Sequence, residues 1–235
     1  MTTTSKSSLF SVIVHVALVI AAMALLRSMI PALLHTRVVS KNMLAPGEGV
    51  VGLITSLIMK KGNRRSSEDA WKRLNVQTGE VVLELGAGNG DGLKYVVAQH
   101  TPKRIVAVEI SERFRGILTD LDIPMMEIHG HDARDMSSFL HRGSVEKFLA
   151  MNVVYFLDPL EVYAREMKRI LRRGRGRGLV GLKPSVIAGG NDDIFKNKNV
   201  TLIKRVFEKV GFKVEEEFVN MGTDLESYVA LTLRH

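Results

Sequence analysis

Residues 84–92 read Glu84-Leu85-Gly86-Ala87-Gly88-Asn89-Gly90-Asp91-Gly92. Glycine accepts positive φ and puts no Cβ in the way of an approaching ligand. A helix that starts here points unpaired N–H groups outward, and these favour a carboxylate or a phosphate. The dinucleotide pattern G-x-G-x-x-G fails in either register, with Asp91 as third residue from Gly86 and Leu93 from Gly88. No G-K-S/T follows, so a nucleoside-triphosphate loop is excluded too. Glu109 stands 25 residues after Glu84. Its carboxylate can accept from two adjacent hydroxyls, as a ribose offers them, or it can simply cap the helix that opens at Ser111. Glu84 can hold an ammonium or merely brace the glycine turn. Asp132 is a third acidic candidate, and Asp135 lies three residues on.

Proton acceptors are fewer. His129, His131, Tyr155 and Asp158 are candidates, each with a plain structural alternative as a strand-end or core residue. Cysteine is absent, which excludes disulfides, thiol nucleophiles, zinc–thiolate sites and iron–sulfur clusters. The run Arg172-Arg173-Gly174-Arg175-Gly176-Arg177-Gly178 has an RNA-binding composition. Its place between a helix and a strand argues for a polar turn instead. Trp71 sits among helix-compatible residues and reads as packing.

These residues fall at element boundaries. Short apolar runs predict strands over 81–85, 104–110, 125–132, 147–156 and 178–184. Helical spacing is seen over 90–100, 111–121, 160–171 and 200–212. Two last strands, 213–219 and 227–234, have no helix between them. The expectation is an α/β fold: a doubly wound, mostly parallel, seven-stranded sheet with an antiparallel C-terminal edge. In such sheets ligands bind at the carboxyl ends of the strands, where strand order reverses.

The acid-x-Gly-x-Gly-x-Gly pattern, Glu84 to Gly90, resembles motif I of class I S-adenosylmethionine-dependent methyltransferases. The resemblance runs along residues 50–235 and is similar to the small-molecule, methyltransferase type 11-like members. It implies that Glu84, Gly86, Gly88 and Gly90 hold the amino-acid end of S-adenosylmethionine. It implies further that Glu109 holds the ribose and Asp132 the adenine amino group. Asn152, in Asn152-Val153-Val154-Tyr155-Phe156-Leu157-Asp158-Pro159, falls where the fourth strand ends beside the reacting methyl. The proline pair of the Asn-Pro-Pro-Tyr motif is missing at Val153-Val154, which speaks against a base- or amide-nitrogen methyltransferase. No catalytic residue is assigned, and no metal is implied. Residues 44–72 and 184–199 are expected to face the acceptor.

The front of the chain differs in kind. Ten basic and three acidic side chains lie in residues 1–78, so this part carries +7 of the net +8. A nucleic-acid-binding domain would spread such charge over its body. In residues 9–26, all but Ser11 and His15 are apolar. Such a run spans about 27 Å as a helix, close to a hydrocarbon core of about 30 Å. The preferred reading is an uncleaved single-pass anchor. A signal peptide cleaved near Ala22-Met23-Ala24 and an organelle presequence are the rivals. Basic residues beyond the run place its C-terminal side in the cytoplasm. The expected organisation is therefore a membrane anchor and basic flank over 1–44 and a methyltransferase domain over 45–235. A mitochondrial location is the alternative. The expected acceptor is small or lipophilic, with a cofactor-binding scaffold or an RNA methyltransferase as the other readings. The sequence leaves the oligomeric state open.

Overall fold

A computed structural model describes residues 14–15, 17–18, 21, 36–47, 49–189 and 191–235. Five residues of the apolar run 9–26 are among them, and all five are helical; the expected span as a whole lies outside the described residues. Among the described residues no helix is long and apolar enough to cross a membrane.

Seven strands form one sheet in the order β3-β2-β1-β4-β5-β7-β6. They are β1 (Val81–Leu85), β2 (Arg104–Val108), β3 (Met126–His129), β4 (Lys147–Met151), β5 (Arg177–Leu182), β6 (Lys213–Val219) and β7 (Tyr228–Arg234). The first five pair in parallel, and β7 runs antiparallel between β5 and β6. This is the expected mixed sheet. The predicted strands over 104–110, 125–132 and 147–156 are longer than those observed. The fourth stops at Met151 because Asn152 turns to φ +57 and Val154–Phe156 wind into a 3₁₀ turn. Apolar composition alone could not separate the strand from the turn that buries Val154 and Tyr155 behind it.

Alternation along the strands divides the core. Leu83, Val106, Phe148, Ala150 and Val180 point to one face, covered by α5 (Leu160–Ile170) and α7 (Val200–Lys209). Val82, Ile105, Ala107, Leu149 and Leu179 point to the other. There they meet α2 (Val50–Leu74), α3 (Asp91–Gln99) and α4 (Glu112–Thr119). Two further short helices are α1 (Arg37–Leu44) before α2 and α6 (Pro184–Gly189) after β5.

The glycines on either side of Arg177, where β5 begins, show why the arginine–glycine run is there. A Cβ at Gly176 would lie 2.4 Å from the carbonyl oxygen of Arg172, and one at Gly178 would lie 2.1 Å from the Phe148 ring. Arg172 itself pairs with Glu146 at 2.6 Å. The run is a tight turn and the start of a strand packed on a large neighbour.

Gly178→Ala should therefore overpack the Phe148 site, at a cost of about 1–3 kcal/mol. At roughly 2–4 °C per kcal/mol for a protein of this size, thermal denaturation should show the loss directly. An unchanged melting temperature would mean that Phe148 has room to move.

Candidate functional site

The strand order reverses beside β1, which has β2 on one side and β4 on the other. At the carboxyl ends of these three strands lies a cavity of about 360 Å³, within the range of small-molecule sites. Glu84, Gly86, Gly88, Glu109, Asp132 and Asn152 all line it. Gly90 does not. A Cβ there would strike Leu121 at 2.6 Å and Leu118 at 2.8 Å, so Gly90 serves helix packing.

The glycine loop is held by its own amides. Gly86 N–H donates to the Val108 carbonyl (2.7 Å), Gly88 N–H to Glu109 Oε2 (2.9 Å) and Gly90 N–H to the Ala87 carbonyl (2.9 Å). These three glycine amides are therefore not available to a ligand carboxylate. The donors left to that role are the Ala87 and Asn89 amides on the cavity wall and the first amides of α3, before Lys94 N–H bonds to Gly90. No side chain caps α3.

The loop glycines differ in what they exclude. At Gly86 (φ +71) a Cβ would lie 2.3 Å from Val153 Cγ2. At Gly88 (φ +54) it would meet nothing closer than 4.0 Å. Only Gly88 combines a positive φ, a place on the cavity wall and open space where a side chain would project.

Glu109 is 5% exposed. Besides Gly88, it accepts from Ser111 N–H on Oε1 at 2.8 Å. The capping role and the binding role thus coexist. Each oxygen keeps a second lone pair for a ligand hydroxyl. Burial pushes this carboxyl above its ordinary range, and the two amides oppose the shift.

Glu84 is 2% exposed. Trp71 Nε1 donates to its Oε2 at 3.3 Å, so Trp71 holds the acid as well as packing. Gly92 makes the room, because a Cβ there would lie 2.9 Å from both Glu84 Oε1 and Trp71 Nε1. Burial pushes Glu84 up to about 8; the Trp71 hydrogen bond opposes this, and the neighbouring Asp91 and Glu109 add to it.

Asp132 lines the cavity with its carboxylate already engaged. Arg134 donates to it from the backbone (3.0 Å) and from Nε (2.8 Å), and Tyr163 also bonds to it. Burial, followed by that bond, pushes the Tyr163 hydroxyl up to about 12.

Asn152 is fixed by a network that sequence reasoning missed. Its Nδ2 donates to Asn63 Oδ1 (3.0 Å), and its Oδ1 accepts from the Tyr155 hydroxyl (3.0 Å). Lys183 Nζ donates to Asn63 Oδ1 (2.9 Å) and to the Gly62 and Leu225 carbonyls (both 2.5 Å). Burial lowers Lys183 to about 8, and Glu226 opposes that shift. These partners lie 89 or more positions apart in sequence, at Asn63–Asn152 and Lys183–Asn63, where no local spacing reveals them.

Of the four proton-acceptor candidates, His131 lines the cavity. His129 stacks on Phe139 at 3.8 Å between centroids, and the buried Tyr155 is spent in the Asn152 network. Tyr155 does not wall the pocket; its neighbours Phe156 and Leu157 do. Of the two segments expected to face the acceptor, only one reaches the cavity among the described residues. Leu44, Met59, Lys60, Asn63, Arg64 and Ser67 line the cavity, whereas residues 184–199 do not. The 184–199 segment is tied elsewhere: Lys196 N–H bonds to the Tyr155 carbonyl and Asn197 Nδ2 to Val154 and Leu157.

Residues 83–176 match the family model described as a methyltransferase domain. No curated protein matches the chain in sequence. Among solved structures, a methyltransferase of Haloferax volcanii in complex with the Trm112 methyltransferase activator is similar at TM-score 0.65 and 16% identity. The match covers 77% of this chain and 94% of that one. A Haemonchus contortus phosphoethanolamine N-methyltransferase, solved with phosphomonomethylethanolamine and S-adenosylhomocysteine, is similar at 0.60 and 12%, over 77% and 56% of the two chains. The [4+2]-cyclase SpnF, whose name gives no methyl transfer, is similar at 0.60 and 18%, over 73% and 80%. At these identities the likeness is one of fold.

Two outcomes test the site. Between pH 4.5 and about 8 the unliganded protein holds a proton on Glu84 that the unfolded chain has lost, so this group's contribution to stability falls as pH rises through that window. A cation bound beside Glu84 should expel the proton. Calorimetry at pH 7 in buffers of different ionisation enthalpy should show release of up to one proton per ligand, abolished in Glu84→Gln. No release from the wild-type protein would remove the cation from this position.

Gly88→Ala should weaken ligand binding on the order of 10-fold or more, with the fold losing only the roughly 1–2 kcal/mol of a left-handed alanine. Gly86→Ala adds a clash with Val153 and should lose more stability. A folded Gly88→Ala protein with wild-type affinity would show that the ligand does not back onto this loop.

Proposed function

We propose that the chain is a class I S-adenosylmethionine-dependent methyltransferase, a reading supported by the methyltransferase-domain match over residues 83–176, and that it methylates a small, lipophilic acceptor at a membrane to which residues 9–26 fasten it. S-adenosylmethionine is the cofactor. The observation that carries the reading is the placement of Glu84, Gly88 and Glu109 around one cavity at the strand-order reversal. The residues fit the ligand: a buried acid for an ammonium, a second acid for paired hydroxyls, and a wall without a side chain between them.

When bound, the cofactor supplies an electrophilic methyl on a sulfonium. The chain's work is then placement and exclusion of water. Glu109 binds and at the same time fixes the loop, since one carboxylate holds both Gly88 and Ser111. Asn152 is held on two sides at the end of β4. Met151, Val153, Phe156 and Leu157 form an apolar wall beside it. Met43, Leu44 and Met59 extend that wall from α1 and α2, which supports a lipophilic acceptor. Tyr163 stays protonated at neutral pH. His131 is the side chain positioned to take a proton where the acceptor gives one up. The anchor rests on the apolar run 9–26 and on the basic residues after it, which favour a cytoplasmic C-terminal side.

Incubation of the purified chain with methyl-labelled S-adenosylmethionine and fractionated cell extract tests the reading. Label should enter the organic-extractable fraction. At limiting cofactor, Glu109→Ala should lose on the order of 10- to 100-fold, as expected for a charged hydrogen bond of about 1.5–3 kcal/mol. Label in RNA or protein would overturn the acceptor class. Cofactor binding without transfer to any fraction would make the chain a scaffold.

A further inference from the structure

Helix α2 is inside out over its first turns. Gly52, Thr55 and Ser56 are buried, while Val50, Val51, Leu53, Ile54, Leu57 and Ile58 are between 47% and 72% exposed. The inward face has a packing reason. A Cβ at Gly52 would lie 1.9 Å from the Gly47 carbonyl oxygen. That turn is in turn fastened to α4, by Ser111 Oγ to the Pro46 carbonyl (3.1 Å) and Arg113 Nε to the Gly47 carbonyl (3.1 Å). The outward face has none. Six aliphatic side chains within nine residues form a contiguous apolar patch of the kind that marks an interaction site. Further along, the helix reverts to the ordinary pattern, with Ala70, Trp71 and Leu74 buried.

A cationic collar separates the two stretches. Lys60, Lys61, Arg64 and Arg65 are exposed. Arg64 pairs with Glu68 and Arg65 with Glu226, whereas Lys60 and Lys61 have no acidic partner among the described residues. An apolar helix end followed by a basic collar is the pattern of a segment seated in a lipid interface.

We propose that residues 50–58 dock into the surface of an anionic lipid bilayer, with the aliphatic side chains among the acyl chains and Lys60 and Lys61 at the phosphates. The basic collar beside the patch favours an anionic lipid surface over a second copy of the chain, which carries the same positive charge. Reach is consistent with a bilayer. Only ten residues separate the apolar run 9–26 from α1, at most about 35 Å of chain. Met59, Lys60 and Asn63 also line the cavity, so docking sets the cavity mouth at headgroup level. The mouth's use as an acceptor entrance rests on the methyltransferase reading; the docking itself does not.

The chain contains no cysteine, so a single Ile54→Cys carries one polarity-sensitive fluorophore. Leu202→Cys, on α7 across the sheet and likewise exposed, is the reference. The full chain is reconstituted in phosphatidylcholine–phosphatidylglycerol vesicles with nitroxide-labelled acyl chains. The label at 54 should be blue-shifted and quenched severalfold more than that at 202, and Lys61→Glu should reduce the difference. Equal solvent exposure of both labels on vesicle-bound protein would overturn the proposal. So would burial of the label at 54 without lipid in a particle of dimer mass. Calorimetry with S-adenosylmethionine on the same samples reports separately on the cofactor site, so failure there leaves the lipid readout standing.

Discussion

One carboxylate ties the site together. Glu109 directly follows β2, and its two oxygens hold the glycine loop after β1 and the residue that opens α4. Three consecutive pieces of the sheet's carboxyl edge are thereby locked to one buried group. Leaving Gly88 N–H and Ser111 N–H unpaired in this setting would cost about 1–3 kcal/mol each. That cost explains why an acid tolerates burial here, and why it stays fixed where a ligand must find it. Glu84 complements it from the neighbouring strand, but through a different balance. It rests on a single indole donor, and burial raises its affinity for a proton.

The sheet was legible because parallel strands buried on both faces read as uninterrupted apolar runs, as in Val81–Leu85 and Arg104–Val108. Glu84 and Glu109 were legible as candidates because they stand at the carboxyl ends of those strands, where the cavity lies. What stayed hidden was of two kinds. Residues 152–156 are as apolar as the strand before them, and only the positive φ at Asn152 ends it. The Asn63–Asn152–Tyr155–Lys183 network joins α2, β4 and β5 through contacts that no periodicity announces. Trp71 belongs to the same class: as a large apolar residue on a helix it reads as packing, and its Nε1 finds Glu84 only once α2 lies across β1.

The network gives α2 a second office. Gly62 and Asn63 receive Lys183 in mid-helix, and the same ammonium reaches Leu225 between β6 and β7. A lysine buried among neutral oxygens keeps its charge only at the expense of its affinity for a proton. One cation thus couples the helix that walls the cavity to the far edge of the sheet, and the Asn152 side chain lies within that coupled set.

The position of β7 bears on how the protein comes to be folded at all. β6 leaves the ribosome first, yet it borders β7 alone, and β7 is what joins it to β5. Residues 213–219 must therefore wait, with their one neighbouring strand missing, until residues 228–234 slide into the gap. Vectorial growth of the sheet is ruled out at its last step, and pairing between distant segments is the slow kind. Until then Leu225 has no fixed place beside Lys183, so the polar network that braces Asn63 behind the cavity is completed only once β7 is paired.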